Sequence, residues 1–396
     1  MHRQYIVLPE GLSFSSVFSV KPEPVTSLWY FLHEVTDPRR AQGRRHALPV
    51  LLLLALLALC SGHTSYQAME EWARNYQHLL REQLPFLSGH TPDAATFHRV
   101  FARLDTEAFE DVLGAWLQAI VPQEKGEGIA LDGKTISRTG VHLVAAFTHT
   151  MQSVLFEQGT EMKGKELVVG PAVLAHIPLK DHIVTGDAMF AQRKICEQIV
   201  TAEGGYVFTV KGNQEKLEQD IRLYFQDLPF QAPLTTNRMV TYWKGRKEKR
   251  IMRMSDDPHL LSYLQWPGVT HVWECTREVK RKGETTREVA VGIASFPQGL
   301  AKLATTEHLN QYLRGHWGIE NALHRTRDVS FNEDKATIRK GKAPQIMAAL
   351  KNLVISILHR GTVRSFPTAF RQFAAHPEEL FSFLGLPEVA KATVLA

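Results

Sequence analysis

Two aspartates each stand directly after a short apolar segment that is typical of a buried strand. Asp132 follows GIAL in ALDGK, and Asp187 follows HIVTG in VTGDAMF. Ligand sites in open α/β sheets form at the carboxyl ends of strands, so these carboxylates would converge on one ion if their strands are neighbours. Mg²⁺ prefers oxygen ligands and often takes one or two carboxylates together with substrate phosphates. Each aspartate alone could instead be a turn or helix-cap residue.

A third acid, Glu320, lies in a segment with helical spacing, residues 305–328. Tyr312, His316 and His324 recur with it at every fourth position. The four side chains are therefore predicted to share one face of a single helix. This face suits phosphate or metal chemistry, although a solvated face or an ion-pair network would show the same spacing.

A competing motif overlaps the first aspartate. Gly128–Thr135 reads GIALDGKT, which matches the phosphate-binding pattern G-x-x-x-x-G-K-[ST]. That pattern needs a strand before the first glycine and a helix after the lysine. Here the middle of the motif looks like the strand itself, and TISRTG is a poor helix, so an ATPase is disfavoured. G-x-S-x-G, H-E-x-x-H and G-x-G-x-x-G do not occur.

Charge is compatible with a nucleic-acid partner but does not demand one. The net charge of +5 is a mild excess. Basic residues nevertheless cluster, and phosphate contacts dominate DNA affinity. The aromatic side chains of Tyr242, Trp243 and Trp317 lie beside such clusters and could stack on bases. Each cluster alone could also be a solvated surface. The clusters are Arg39–Arg40 with Arg44–Arg45, Lys244–Arg250, Lys280–Lys282 and Arg339–Lys342.

Periodicity predicts how the chain positions these residues. Residues 1–125 have helical spacing, and a short helix carrying His98 and Arg99 could bind DNA or simply pack. Three strands follow, and then strands alternate with helices up to about residue 226, which predicts a mixed α/β sheet. From about 226 to 303, alternating apolar and polar residues predict antiparallel strands in a basic insertion.

One apolar run could be mistaken for a membrane segment. Ala47–Cys60 reads ALPVLLLLALLALC, which is 14 residues long, whereas a membrane span needs about 17–25. The run begins too far from the N-terminus for a signal peptide. We therefore expect a buried core helix, no membrane association and a cytoplasmic location. Three scattered cysteines predict neither a disulfide framework nor a zinc ribbon.

The motifs together resemble the DDE transposases of bacterial insertion sequences, and most closely the H-repeat-associated group. The resemblance runs from about residue 30 to 360. Its individual stretches are weak, but their combination and order are specific. The matching stretches are IALDGKTI, VHLVAAF, IVTGDAMFAQ, YVFTVKGNQ, the KGRKEKR region and RGHWGIENALHRTRDVSFNED.

The resemblance implies an RNase H-like α/β catalytic domain at 126–360, with the β-rich insertion at about 226–303. An N-terminal helical domain at 1–125 and a C-terminal tail at 361–396 would flank it. It also implies that Asp132, Asp187 and Glu320 are the catalytic, metal-binding acids. The lysine that the family carries after the glutamate has Arg327 as its nearest counterpart. The residues expected to contact DNA are Tyr312, Arg314, His324, Lys211, Arg246, Lys247 and Arg250.

The implied activity is cleavage and strand transfer of an insertion sequence by two-metal phosphoryl transfer. Mg²⁺ would be the cofactor, and Mn²⁺ could substitute. The partners would be double-stranded DNA, as element ends and target, and a second copy of the chain in a homodimer. Two alternatives stay open: a related RNase H-like nuclease that does not join ends, and a domesticated, catalytically silent DNA-binding protein.

Overall fold

The computed structural model describes residues 28–386, apart from 84–89, 123, 138, 161–165, 230, 244, 362 and 364. The chain divides into two compact units. The first contains the residues up to Ile120 and those from Thr326 onwards, and the second is Val121–Arg325.

The helices and strands are numbered here in chain order. The helices are α1 (Leu28–Glu34), α2 (Leu48–Cys60), α3 (Tyr66–Asn75), α4 (Gln77–Gln83), α5 (Ala94–Phe101), α6 (Thr106–Ile120), α7 (Glu166–Ala175), α8 (Arg193–Thr201), α9 (Glu215–Gln226), α10 (Pro258–Leu264), α11 (Thr306–Gly318), α12 (Arg325–Val329), α13 (Ala343–Arg360), α14 (Phe366–Ala375) and α15 (Pro377–Phe383). The strands are β1 (Gly128–Thr135), β2 (His142–Thr148), β3 (Val154–Thr160), β4 (Ile183–Gly186), β5 (Gly205–Val210), β6 (Thr235–Trp243), β7 (Arg246–Ser255), β8 (His271–Arg281) and β9 (Glu284–Ser295).

Helix α2 forms the centre of the first unit. It is apolar on every side, and all its residues except Pro49 are buried, so it must be surrounded by other helices. Helices α1, α3, α13 and α14 pack around it. Among the described residues, Ala41–Cys60 alone is long and apolar enough to cross a membrane, but 67% of its most apolar 18-residue window is buried inside the protein. The predicted core helix is therefore present.

The C-terminal part of the chain completes the same unit, which differs from the predicted domain boundaries. Residues 326–360 were expected in the catalytic domain and 361–396 in a tail. Instead α13 packs on α2 and α6, and α14 packs on α2 and α15. The reason is that α13 is buried along most of its length, so it needs a helical partner on more than one side.

Arg327, the nearest counterpart of the family lysine, lies inside this first unit. Its Nε donates to Glu333 Oε2 at 2.8 Å, and Lys351 Nζ donates to Glu333 Oε1 at 2.9 Å. All three side chains are buried. Burial opposes ionisation of Glu333, but the two cations outweigh it and lower its pKa to about 2. Arg327 therefore forms a buried ion pair with Glu333.

The second unit is built on one nine-stranded sheet, in the order β3-β2-β1-β4-β5-β9-β8-β7-β6. Strand β1 is antiparallel to β2 and parallel to β4, and β4 is parallel to β5. Strands β2 and β4 are buried throughout, as expected for strands covered on both faces. Helix α7 packs on β2 and β3, and α11 packs on β1, β4 and β5. The predicted mixed α/β sheet is confirmed.

The predicted basic insertion forms four antiparallel strands, β6 to β9. These strands do not form a separate sheet. Strand β9 pairs with β5 from Tyr206 to Val210, so the insertion extends the core sheet. Backbone hydrogen bonding across this junction explains why a long insertion can hold a fixed position beside the core strands.

The predicted continuous helix at 305–328 is interrupted. After α11, Ile319–His324 form a π-helical segment. A π-helix has i→i+5 hydrogen bonds and therefore turns less per residue than an α-helix. The single face predicted from four-residue spacing is broken there: Tyr312 and His324 are buried, whereas Glu320 is exposed.

Candidate functional site

Asp132 and Asp187 lie side by side at the edge of the sheet. The parallel ladder between β1 and β4 ends with the pair Leu131 and Gly186. Asp187 directly follows β4, as predicted, but β1 does not end at Asp132: it continues to Thr135 because these residues pair with β2. Asp132 is 8% exposed, while the Asp187 side chain is 64% exposed. The two carboxylates therefore share one location, one beneath the surface and one facing solvent.

Lys211 follows the neighbouring strand β5, whose carboxyl end lies at the same edge. Its charge is one of the influences that lower the pKa of Asp187. The largest comes from the nearby imidazole of His316, which outweighs the opposing effect of burial. The edge thus combines two acids with a lysine suited to a phosphate group.

His324 lies against Asp132. Its Nε2 is 3.2 Å from Asp132 Oδ2, but not in hydrogen-bond geometry, and neither ring nitrogen has a hydrogen-bond partner among the described residues. The imidazole is only 5% exposed. A buried polar group without a partner costs free energy. On the other side of the carboxylate, the backbone N–H of Gly133 donates to Asp132 Oδ1 at 2.8 Å.

His316 occupies the corresponding position beside Asp187. Its Nε2 lies 3.7 Å from Asp187 Oδ1, and its Nδ1 lies 3.3 Å from Thr185 Oγ1. The same hydroxyl is 3.0 Å from His149 Nε2. Burial, with a smaller contribution from His316, lowers the pKa of His149 to about 3, so this imidazole is neutral at physiological pH.

Glu320 does not form a cluster with the two aspartates. It is exposed in the π-helical segment, which contacts β1. Within the part of the chain that the structure describes, no group of three or more His, Cys, Asp and Glu side chains is close enough to hold a metal ion. The structure therefore brings two of the three predicted acids together and leaves the third on an adjacent helical segment.

Two of the residues predicted to contact DNA are inaccessible to it. Tyr312 belongs to the hydrophobic core, and its hydroxyl donates to the Gly126 carbonyl at 2.8 Å. Burial raises its pKa to about 12. His324 is buried against Asp132, as described above. Arg314, in contrast, is exposed on α11. We assign Tyr312 to packing, because an apolar ring between α11 and the sheet leaves no surface for a phosphate.

The basic cluster in the insertion is partly neutralised within the protein. Arg250 Nε donates to Glu248 Oε1 at 2.7 Å, and Arg277 Nε donates to the same oxygen at 3.2 Å. Burial opposes ionisation of Glu248, but these hydrogen bonds lower its pKa to about 2. Arg246 also pairs with Glu248. Lys247 is exposed, whereas Lys244 lies outside the described residues.

The tips of the β6–β7 and β8–β9 hairpins line a cleft of about 450 Å³ that is open to solvent. Tyr242 and Trp243 are 72% and 67% exposed there. The Lys247 ammonium lies 5.5 Å from the centre of the Tyr242 ring. The cleft thus combines aromatic faces with cations, as surfaces that bind nucleic acid do. Its remaining lining residues are Gly245, Arg246, Lys280, Lys282 and Gly283.

Comparison with known proteins identifies the family. Residues 118–357 match the family described as "Transposase DDE domain", and residues 29–117 match "DDE_Tnp_1-associated". The chain belongs to the DDE transposase family. The resemblance stated from the motifs is therefore confirmed, and these two matches together cover most of the transposase chain.

Full-length relatives agree with this classification. The chain is 28% identical over 347 residues to "Putative transposase YncI" of Escherichia coli O157:H7, covering 84% of this chain and 87% of the relative. It is 28% identical over 340 residues to "H repeat-associated putative transposase YhhI" of Escherichia coli (strain K12), covering 82% and 88%. "Putative protein YbfL" of the same strain is 29% identical over 340 residues, covering 82% and 88%.

The donor set at this transposase site suits a hard divalent cation. Asp132 and Asp187 supply carboxylate oxygens from positions next to the end of the β1–β4 ladder, and Mg²⁺ needs only one or two carboxylates when waters and substrate phosphates complete its shell. The unpartnered His324 next to Asp132 indicates that this pocket is incomplete without a further polar group. The residues present therefore fit a divalent metal.

Sequence reasoning did not find His149 and Thr185. His149 lies just beyond β2, and Thr185 is an ordinary inward-facing residue of β4. Neither belongs to a motif with recognisable spacing, because the two are brought together only by strand pairing and by the packing of α11. The parallel pairing of β1 with β4, had it been specified, would have indicated Thr185, two residues before Asp187.

Proposed function

We propose that this protein is a DNA transposase that cleaves the ends of an insertion sequence and transfers them to target DNA. The observation that carries this proposal is the position of Asp132 and Asp187, each directly after the last pair of the parallel ladder between β1 and β4. The order β3-β2-β1-β4-β5, with only β2 antiparallel to β1, β4 and β5 around the site, supports an RNase H-like core.

Asp132 and Asp187 would hold divalent metal, Mg²⁺ or Mn²⁺. A bound metal would activate the attacking oxygen and stabilise the leaving oxygen in phosphoryl transfer. The Gly133 N–H fixes one oxygen of Asp132, so the other oxygen faces the pocket beside His324. Glu320, exposed on the π-helical segment that contacts β1, would complete the set of metal-binding acids when DNA binds. A π-helical turn is a common feature of functional sites.

DNA would be held by cations on the same unit. Lys211, which follows β5 at the sheet edge, and Arg314 on α11 are both exposed. Arg246 and Lys247, with the aromatic cleft at the hairpin tips, extend this surface. Arg250 would contribute less, because it is mostly buried and already paired with Glu248. Each phosphate contact adds salt-dependent affinity. A chromosomal substrate implies action in the cytoplasm.

The proposal is tested with purified protein, DNA carrying the flanking inverted repeats, and Mg²⁺ or Mn²⁺. Asp132→Asn should abolish cleavage and joining while DNA binding remains measurable. Asp256→Asn, at an exposed acid outside the site, is the matched control and should remain active. Full cleavage by Asp132→Asn would overturn the assignment of the site.

The same assay separates the alternative functions. Metal-dependent hydrolysis without joining would indicate an RNase H-like nuclease. Tight binding without cleavage in either metal would indicate a domesticated DNA-binding protein. Because two element ends must be paired, we also expect a homodimer, at least on DNA. Sedimentation with and without the end sequences tests this, and a monomer under both conditions would contradict it.

A further inference from the structure

A chain of polar contacts leads from the interior of the second unit to Asp187. His149 Nε2 is 3.0 Å from Thr185 Oγ1, and Thr185 Oγ1 is 3.3 Å from His316 Nδ1. His316 Nε2 then faces Asp187 Oδ1 at 3.7 Å. Thr185 is 1% exposed. The four residues come from the end of β2, from β4 and from α11, so their alignment is produced by tertiary packing alone.

Two glycines leave the space that the His149 ring occupies. A Cβ on Gly128 would lie 2.3 Å from His149 Nδ1, and a Cβ on Gly315 would lie 2.2 Å from the same atom. The backbone N–H of His149 also donates to the Gly128 carbonyl at 2.8 Å. The imidazole is thus held between a strand and a helix, with no room to rotate away from Thr185.

The protons that each group can donate decide which group is the donor in the contacts between His149, Thr185 and His316. Thr185 has one O–H to donate and can accept from other donors. A carboxylate only accepts, so His316 is best placed with a proton on Nε2 facing Asp187. In the tautomer whose single proton is on Nε2, His316 has a lone pair on Nδ1 and accepts from the threonine hydroxyl. Thr185 in turn must accept from His149, which requires the proton of neutral His149 to be on Nε2.

We propose that His149 and Thr185 are positioning residues that fix the tautomer and orientation of His316, so that its Nε2–H is directed at one oxygen of Asp187 and the other oxygen stays available for a divalent metal. This inference rests on the proposed function of Asp187 as a metal ligand. Carboxylates and histidines behind metal ligands are known to orient them, and loss of such a partner typically weakens metal affinity about 10–100-fold.

If the hydrogen bonds ran in the opposite direction, His316 would be in its other tautomer. If Thr185 donated to His149, His316 would carry its proton on Nδ1, and its Nε2 lone pair would face the Asp187 carboxylate. That arrangement is repulsive in the metal-free protein because both groups are acceptors. The tautomer of His316 without metal therefore distinguishes the two arrangements before any metal is added.

The first measurement is NMR of protein labelled with ¹⁵N in its histidine rings, with no metal present. We expect Nε2-protonated His149 and Nε2-protonated His316, assigned by the variants His149→Asn and His316→Asn. A His316 protonated on Nδ1 in the wild-type protein would overturn the proposal. This measurement needs no destabilising substitution in the protein whose tautomers are read.

The second measurement is the binding of Mn²⁺, followed by the EPR signal of the free ion. Thr185→Val removes the hydroxyl at nearly constant volume and should weaken Mn²⁺ binding by about 10-fold, the lower end of the range for a direct partner of a ligand, because Thr185 acts through His316. Thr185→Ser retains the hydroxyl and should restore binding close to that of the wild type. Thr276→Val, at a buried threonine of β8, is the matched control and should not change it.

The outcomes separate this inference from the proposed function. Equal Mn²⁺ affinity of Thr185→Val and the wild type would overturn the positioning role while leaving the metal site intact. Wild-type protein that binds no Mn²⁺, with or without DNA, would overturn both the metal site and the positioning role. In that case the histidine tautomers would still report whether the hydrogen-bond chain exists.

Discussion

Substitution of Gly315 by alanine should destabilise the protein, although the same change usually stabilises a helix. Gly315 lies inside α11, where alanine is favoured over glycine by about 1 kcal/mol. The added Cβ would, however, lie 2.2 Å from His149 Nδ1 and under 3 Å from two further ring atoms. The ring would have to retreat by about 1 Å or more to reach an ordinary contact distance, and it already lies so close to Gly128 that a Cβ there would come within 2.3 Å of the same nitrogen.

The magnitude follows from these opposing effects. Overpacking of a filled site costs about 1–3 kcal/mol, and loss of the hydrogen bond between His149 and Thr185 costs about 1 kcal/mol more. After the helical gain is subtracted, we expect a net loss of about 1–3 kcal/mol in the free energy of unfolding. In a unit of this size each kcal/mol corresponds to a shift of about 2–4 °C in Tm.

Gly318 provides the matched control in the same helix. A Cβ there would have its nearest neighbour, Phe147 Cε1, at 3.9 Å, which is an ordinary contact. Gly318→Ala should therefore raise the free energy of unfolding by up to about 1 kcal/mol. Urea unfolding followed by tryptophan fluorescence measures both variants. If Gly315→Ala proved as stable as Gly318→Ala, the close approach of His149 to α11 would be refuted.

Three further predictions concern the buried ion pair and the DNA-binding surface. Glu333→Gln should lower the free energy of unfolding by about 3–5 kcal/mol in urea titrations, because it leaves Arg327 and Lys351 buried without their counter-charge; a loss below about 1 kcal/mol would contradict the ion pair. The pKa of Glu333 falls from 4.5 in the unfolded chain to about 2 in the folded protein, so its contribution, about 3 kcal/mol, is complete above pH 4.5 and is lost as pH falls through about 2. Thermal unfolding of Glu333→Gln should accordingly vary less with pH across that window than unfolding of the wild type, and an identical pH dependence would count against the assignment. Lys247→Ala should reduce the slope of log K for DNA binding against log salt by about 1, whereas Lys302→Ala, at an exposed lysine outside the hairpins, should leave it unchanged; equal slopes for the two variants would remove Lys247 from the DNA-binding surface.

The amino-acid sequence by itself determined the local features of this protein. The two buried strands could be located because Asp132 and Asp187 each follow an apolar segment, and apolar periodicity is a local property. The end of β4 was located correctly, whereas β1 continues past Asp132 to Thr135 through its pairing with β2. Helix α2 could be predicted as buried because a segment without any polar face has no stable position in water. The antiparallel insertion followed from alternating residues and a short turn. Together with the order of the motifs, these features were enough to indicate the family.

Only the tertiary structure decided which distant residues meet. Four-residue spacing predicted one helical face for Tyr312, His316, Glu320 and His324, but the π-helical segment turns Glu320 to solvent while His324 is buried. The position of His149 depends on the approach of α11 to the sheet, which is set by packing between elements far apart in sequence. The assignment of 326–386 to the N-terminal helices has the same cause. Side chains many residues apart are brought together by strand pairing and helix packing, and no local pattern records those contacts.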